Sequence, residues 1–178
     1  MKRPLKKLKD VIVPFCEGEA EKNLFGFLKL RFSNKKITFT TPKDICGFEK
    51  LDQFKRKYNK LCKGYHLKPK KDFSNVKFLF IIDNDLEDSK KINEFLEKEG
   101  HYVQLCDPNT EGMILAISGH PQVKSVGDKE YRKKCKIAFR GIFNCEAHKI
   151  KEEKLEKIFT NEVVLKNKLP VLYRLFKV

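Results

Sequence analysis

The sequence contains no tryptophan and only two methionines, so large-side-chain packing falls mainly to 15 phenylalanines and five tyrosines. No apolar run approaches the roughly 20 residues that a membrane span needs. The basic start, residues 1–9, leads only into a short stretch, Val11 to Cys16, that Pro14 interrupts. An unanchored, cytoplasmic protein is the expectation. Cys16, Cys46, Cys62, Cys106, Cys135 and Cys145 are scattered, and no Cys/His group has zinc-finger spacing, which argues for free and mostly buried thiols. A phosphate-binding Gly-x-x-x-x-Gly-Lys-Ser/Thr loop is also lacking, so any ATPase associated with this chain would be a separate protein. No internal repeat, low-complexity tract or helix suited to a lipid interface is evident.

Acidic residues are outnumbered, with 24 Asp and Glu against 39 Lys and Arg, giving a formal charge of +15. That excess points to a polyanionic partner, nucleic acid or an anionic membrane face, without saying which. At 178 residues the chain suits one compact domain with an appendage. A division into a basic leader (1–9), an α/β core (10–118) and a helical extension packed on that core (119–178) follows from the pattern along the chain.

Residues 10–16 are apolar and β-branched, short enough for a buried strand. Leu24, Phe25, Leu28 and Phe32 then recur at helical spacing and predict a helix from Glu19 to about Phe32. Lys36 to Thr41 alternates as a second strand closed by Pro42. A second amphipathic helix carries Leu51, Phe54, Tyr58 and Leu61 and ends near Gly64. Val76 to Ile82 reads as a central parallel strand. Ser89 caps the following helix in this reading, Gly100 ends it, and His101 to Cys106 forms the fourth strand. This β-α-β-α-β-α-β order predicts an α/β fold, a small parallel sheet flanked by helices with right-handed crossovers. Beyond it the pattern is mainly helical, over 111–118, 128–139, 146–159 and after Pro170.

Against the basic background, three acids fall within Glu17–Glu21 and four within Asp83–Asp88. Both groups follow the C-terminal ends of predicted parallel strands, the edge where open α/β sheets bind ligands. Like charges brought together there repel until protons or a hard cation neutralise them, and carboxylate oxygens suit Mg²⁺ or Mn²⁺. The Asp83-x-Asp85 spacing lets both side chains reach one ion from an extended segment. Glu19, Glu21, Glu87 and Asp88 have a competing explanation as acids favoured in the first turns of helices.

A first strand ending in Glu17-Gly18-Glu19-Ala20-Glu21 and a later one ending in Asp83-Asn84-Asp85 resemble the Toprim domain. The Glu-Gly-x-x-Glu form is similar to OLD-type Toprim nucleases and the small RloB-like proteins. Asp107-Pro108-Asn109-Thr110-Glu111-Gly112-Met113 resembles the Ser-Asn-Pro-x-x-Glu-x-Trp segment of RloB-like chains, with Asp107 for Ser, Pro and Asn exchanged, and Met113 for Trp. The resemblance covers about 11–118. It implies a Rossmann-like sheet, Mg²⁺ or Mn²⁺ dependence, phosphodiester cleavage, frequent association with bacterial defence or restriction loci, and, for OLD-type members, a partner ATPase. Carried over, it assigns Glu17, Asp83 and Asp85 to a principal metal and Glu21 and Glu111 to a second. A late basic residue used by OLD-type members would be Lys149, after His148, or Arg140, before Gly141.

The expected function is therefore a metal-dependent nuclease. Lys55, Arg56, Lys57, Lys60, Lys63, Lys68, Lys70 and Lys71 would hold nucleic-acid phosphates without reading sequence. Tyr58 and Tyr65, interleaved with them, would stack on bases or pack inward. The alternatives are a small Toprim RNA-maturation endonuclease and a non-catalytic basic nucleic-acid-binding protein.

Overall fold

The computed structural model describes residues 10–32, 37–65, 76–84, 86–120 and 130–177. The leader, Asp85, Lys68, Lys70 and Lys71 lie outside the described residues. Five strands form one parallel sheet: β1 (Asp10–Cys16), β2 (Ile37–Phe39), β3 (Lys43–Asp44), β4 (Val76–Asp83) and β5 (Tyr102–Cys106). Their lateral order is β2-β1-β4-β5, with β3 also on β1. The chain moves outward from β1 to β2 and then returns to the other side of β1 as β4. Strand order therefore reverses between β1 and β4.

Side chains alternate across these strands with the period of two that a pleated strand imposes. Ile12, Cys16, Leu79, Ile81 and Cys106 enter one buried cluster. Val13, Phe15, Phe78, Phe80, Ile82 and Val103 enter the other. The second cluster is covered by α2 (Leu51–Gly64), α3 (Ser89–Lys98) and the Ile45–Phe48 loop. The first is covered by α1 (Glu19–Phe32), α4 (Thr110–Ile117), α5 (Tyr131–Phe143), α6 (Glu152–Ile158), α7 (Glu162–Lys168) and α8 (Pro170–Lys177). Both faces are buried, as a parallel sheet requires. The fold is α/β, with a parallel sheet flanked by helices and a helical C-terminal part in the same core as β1 and β4.

The docking of α8 depends on Gln104, which is buried at 2% exposure in β5. Its Oε1 accepts from the Val171 and Leu172 amides at 3.2 and 3.3 Å, and its Nε2 donates to the carbonyls of Leu105 and Lys168. The first-turn donors of α8, which have no partner inside the helix, are thus satisfied from the sheet.

The structure departs from the sequence-based expectations at four places. The second strand is shorter than expected, Ile37–Phe39, and beyond Pro42, which lacks an amide for the ladder, an unexpected two-residue strand, β3, pairs with the end of β1. Asp88, not Ser89, stands at the N-cap of α3, and its carboxylate serves α2 instead, accepting the Leu51 amide at 3.0 Å. Ser89 donates to Asn84. The helix expected to close at Phe139 runs on to Phe143, where Asn144 turns left-handed with φ 53°. The helix expected over 146–159 is broken into a 3₁₀ turn, Ala147–Lys149, and α6, because Asn23 of α1 binds the carbonyls of Ala147 and Ile150 and Ile150 enters the core.

Candidate functional site

At the reversal of strand order, Cys16 of β1 stands opposite Ile81 of β4, and the Glu17 amide donates to the Ile81 carbonyl at 3.2 Å. The Glu17 side chain bends toward the same neighbour, its Oε2 accepting the Asp83 amide at 3.1 Å. The two acids predicted at adjacent strand ends are thereby joined across the switch point. α1 starts at Glu19, and its first turn brings Glu21 back beneath them, only 5% exposed. A Cβ on residue 18 would lie 3.1 Å from Glu21 Oε2, so Gly18 leaves room for that carboxylate.

Thr110, the first residue of α4, ties these acids together. Its amide donates to Asp83 Oδ1 at 3.0 Å, where the positive end of the helix dipole favours a carboxylate. Its hydroxyl lies 3.3 Å from the same oxygen and is hydrogen-bonded to Glu21 Oε1. One hydroxyl proton thus faces two carboxylate groups. Asn109 caps α4 by accepting the Gly112 amide at 2.9 Å. Its Nδ2 is buried with no hydrogen-bond partner among the described residues. Gly112 is required by close packing: a Cβ there would meet Pro108 Cδ at 2.8 Å and Cys135 Sγ of α5 at 3.0 Å. Neither Thr110 nor Asn109 was a sequence candidate. Both lie in the 107–113 segment that carries the resemblance, and the Asn-x-x-Gly arrangement marks an N-cap, but neither says which acids the helix faces.

Two thiols lie below the carboxylates. Burial, then Glu21, pushes the Cys16 thiol up, and burial, then Asp83, does the same for Cys106. Both stay protonated at neutral pH and are poor thiolate ligands. At the edge of the sheet Lys22 pairs with Asp44 at 2.6 Å and with Glu19 at 2.8 Å, which raises its pKa, with Asp44 the larger cause.

The remaining candidates are dispersed. Glu17 lines a cleft of about 360 Å³ with Gly47, Phe48, Glu49, Gln53, Leu86 and Arg132. Glu111 lines a second, of about 160 Å³, with Lys136, Phe139, Arg140, Glu146 and His148. Arg140 is 2.6 Å from Glu146 and Lys149 is 3.8 Å from it, so both late basic candidates belong to the Glu111 side. On α2, Lys57 Nζ would lie 3.5 Å from a Cβ on Gly47, a residue of the Glu17 cleft, but Lys57 does not itself line that cleft. Lys55 instead lies over the Phe95 ring at 5.4 Å, and Arg56, Lys60 and Lys63 are exposed and line neither cleft. Tyr58 is buried, and Tyr65 packs edge-on against Phe15 and Phe78, so both rings belong to the core and not to a base-stacking surface.

Comparison of the chain with protein-family models, with curated proteins and with solved structures gave no match.

Among the described residues no group of three His, Cys, Asp or Glu side chains converges as an ion-holding cluster. Glu17 and Asp83 offer carboxylate oxygens at the switch point, Glu17 Oε2 held by the Asp83 amide and Asp83 Oδ1 by the Thr110 amide. That donor set fits a hard cation, since Mg²⁺ commonly takes one or two carboxylates and fills its other positions with water and phosphate oxygens.

Proposed function

We infer that the protein is a divalent-metal-dependent nuclease, similar to the RloB-like and OLD-type Toprim enzymes and suited to a bacterial defence or restriction role. The observation that carries this reading is the Glu17 carboxylate held on the Asp83 amide where strand order reverses. Glu17 and Asp83, with Asp85 from the sequence, would hold Mg²⁺ or Mn²⁺. The cation supplies Lewis acidity toward a phosphodiester and offsets the crowded negative charge. The chain's own part is positional. Thr110 fixes Asp83 through its amide, Gly18 admits Glu21 beneath the pair, and Lys57 and Arg132 flank the Glu17 cleft, where they attract phosphate.

A non-catalytic nucleic-acid-binding protein is the second reading. It is favoured by the hydrogen bonds that already engage Asp83 and Glu21 at Thr110. Incubation of purified protein with plasmid, single-stranded DNA and total RNA, with and without Mn²⁺, separates the two. Metal-dependent cleavage is expected, reduced at least about 100-fold in Asp83→Ala and Glu17→Ala proteins that remain folded. Undiminished cleavage by either variant overturns the site, and nucleic-acid binding without any cleavage favours the second reading. Cleavage confined to structured RNA would indicate the RNA-maturation alternative.

A further inference from the structure

The α5 helix, Tyr131-Arg-Lys-Lys-Cys-Lys-Ile-Ala-Phe-Arg-Gly-Ile-Phe143, holds five cations and no acid. Three of them, Arg132, Lys136 and Arg140, recur every four residues and so form one ridge along the helix. Successive members stand about 6 Å apart along the axis. All three are exposed. Arg132 lines the Glu17 cleft, and Lys136 and Arg140 line the Glu111 cleft.

The carboxylate cluster runs between the same two clefts. Glu17 binds the Asp83 amide, Asp83 binds Thr110, and Thr110 is followed in the chain by Glu111. The two lines are held against each other where α5 meets the first turn of α4, at the close approach of Gly112 to Cys135. Acids also face the ridge. Glu49 lies in the first cleft, and Glu146 in the second pairs with Arg140, His148 and Lys149. Glu111 and Glu146 stand against Lys136, Arg140 and Lys149, so cations remain in excess there.

We propose that the Arg132–Lys136–Arg140 ridge of α5 is the track on which a single nucleic-acid strand lies, carrying its phosphates past Glu17 and Asp83 from one cleft to the other. The lysines of α2 play the lesser part. A single file of cations contacts one backbone, and evenly spaced charges beside carboxylates hold phosphates without reading bases. The direction of the strand past the acids rests on the nuclease reading, whereas strand binding by the ridge does not.

The test is binding of a labelled single-stranded DNA oligonucleotide in EDTA, where no cleavage interferes, across a salt series. Wild type is compared with Arg132→Gln/Lys136→Gln/Arg140→Gln and with a charge-matched α2 variant, Lys55→Gln/Lys60→Gln/Lys63→Gln. Thermal melting verifies that each folds. The α5 variant should lose at least about tenfold in affinity, and its log K against log salt slope should fall by about 2, as for three lost phosphate contacts on a single strand. The α2 variant should lose clearly less on both measures. Equal losses in the two variants, or a larger loss in α2, overturn the proposal, as does a wild type that does not bind the strand. If the α5 effect is seen but Mn²⁺ elicits no cleavage of any substrate, the track stands and the nuclease reading falls.

Discussion

On the α2–α3 face of the sheet, Phe15, Phe78 and Phe80 pack with Phe54, Tyr58, Tyr65 and Phe95 in edge-to-face and offset contacts with centroids 5.0–6.3 Å apart. On the other face β1 contributes Cys16 and β5 contributes Cys106, and the end of that face is occupied by Glu21, Thr110 and Asn109, all buried. The aromatic side admits one imidazole among the described residues, His101. The Phe78 amide points at its Nδ1, which places the proton on Nε2, toward the Tyr58 oxygen at 2.9 Å. His101 and Tyr58 on the aromatic side are thus hydrogen-bonded to each other, whereas acids of like charge are gathered at the other. One face is built of aromatic packing, and the end of the other gathers Glu17, Glu21 and Asp83 around the first turn of α4.

This contrast is sharpest in a direct prediction: truncations on the aromatic face destabilise, and removal of charge at the carboxylate cluster stabilises. The largest effect is expected for Phe80→Ala, since Phe80 is fully buried, stacks on Phe15 and meets Phe54 edge to face. Urea unfolding should show a loss of about 3–5 kcal/mol. A loss under about 1 kcal/mol would break the contrast.

Next comes His101, whose pKa burial, and then Lys77, lowers to about 4. The native ring stays neutral while the unfolded ring takes up a proton below about 6.5. Stability should therefore be unaffected by this group above pH 6.5 and should fall as pH drops from there toward 4, by about 2 kcal/mol for a ring that keeps some solvent contact. His101→Gln should flatten that part of a urea-midpoint profile. An unchanged slope would place the acid sensitivity elsewhere.

The smallest effect tests the opposite face. Asp83→Asn retains an Oδ1 to accept the Thr110 amide but removes a charge beside Glu17 and Glu21. The metal-free protein should gain about 1 kcal/mol, and the rise in melting temperature produced by Mg²⁺ or Mn²⁺ in the wild type should disappear. A lower metal-free melting point with an intact metal response would make Asp83 a helix-docking residue and nothing more.

Much of the frame was legible because local patterns and tertiary burial agree. α1 and α2 begin and end where the spacing of Leu24, Phe25 and Leu28, and of Phe54, Tyr58 and Leu61, predicts. Glu17 and Asp83 were visible as acids placed directly after strands buried on both faces. Glu111 was visible too, but its helix turns it into a cleft with Lys136 and Arg140, away from Glu17. The break at Ile150 was not legible, because its cause, Asn23, is more than a hundred residues away in the chain.

By itself the sequence determined the alternation of strand and helix, the parallel sheet that this alternation demands, and the two acidic strand ends, since each depends on periodicity and charge within a few neighbouring residues. Only the tertiary structure decided that Thr110 bridges Asp83 and Glu21, that Gln104 caps α8, and that the cations of α5 stand along both clefts. Those relations join residues distant in the chain, and they exist only after packing has chosen which helix ends meet which strand ends.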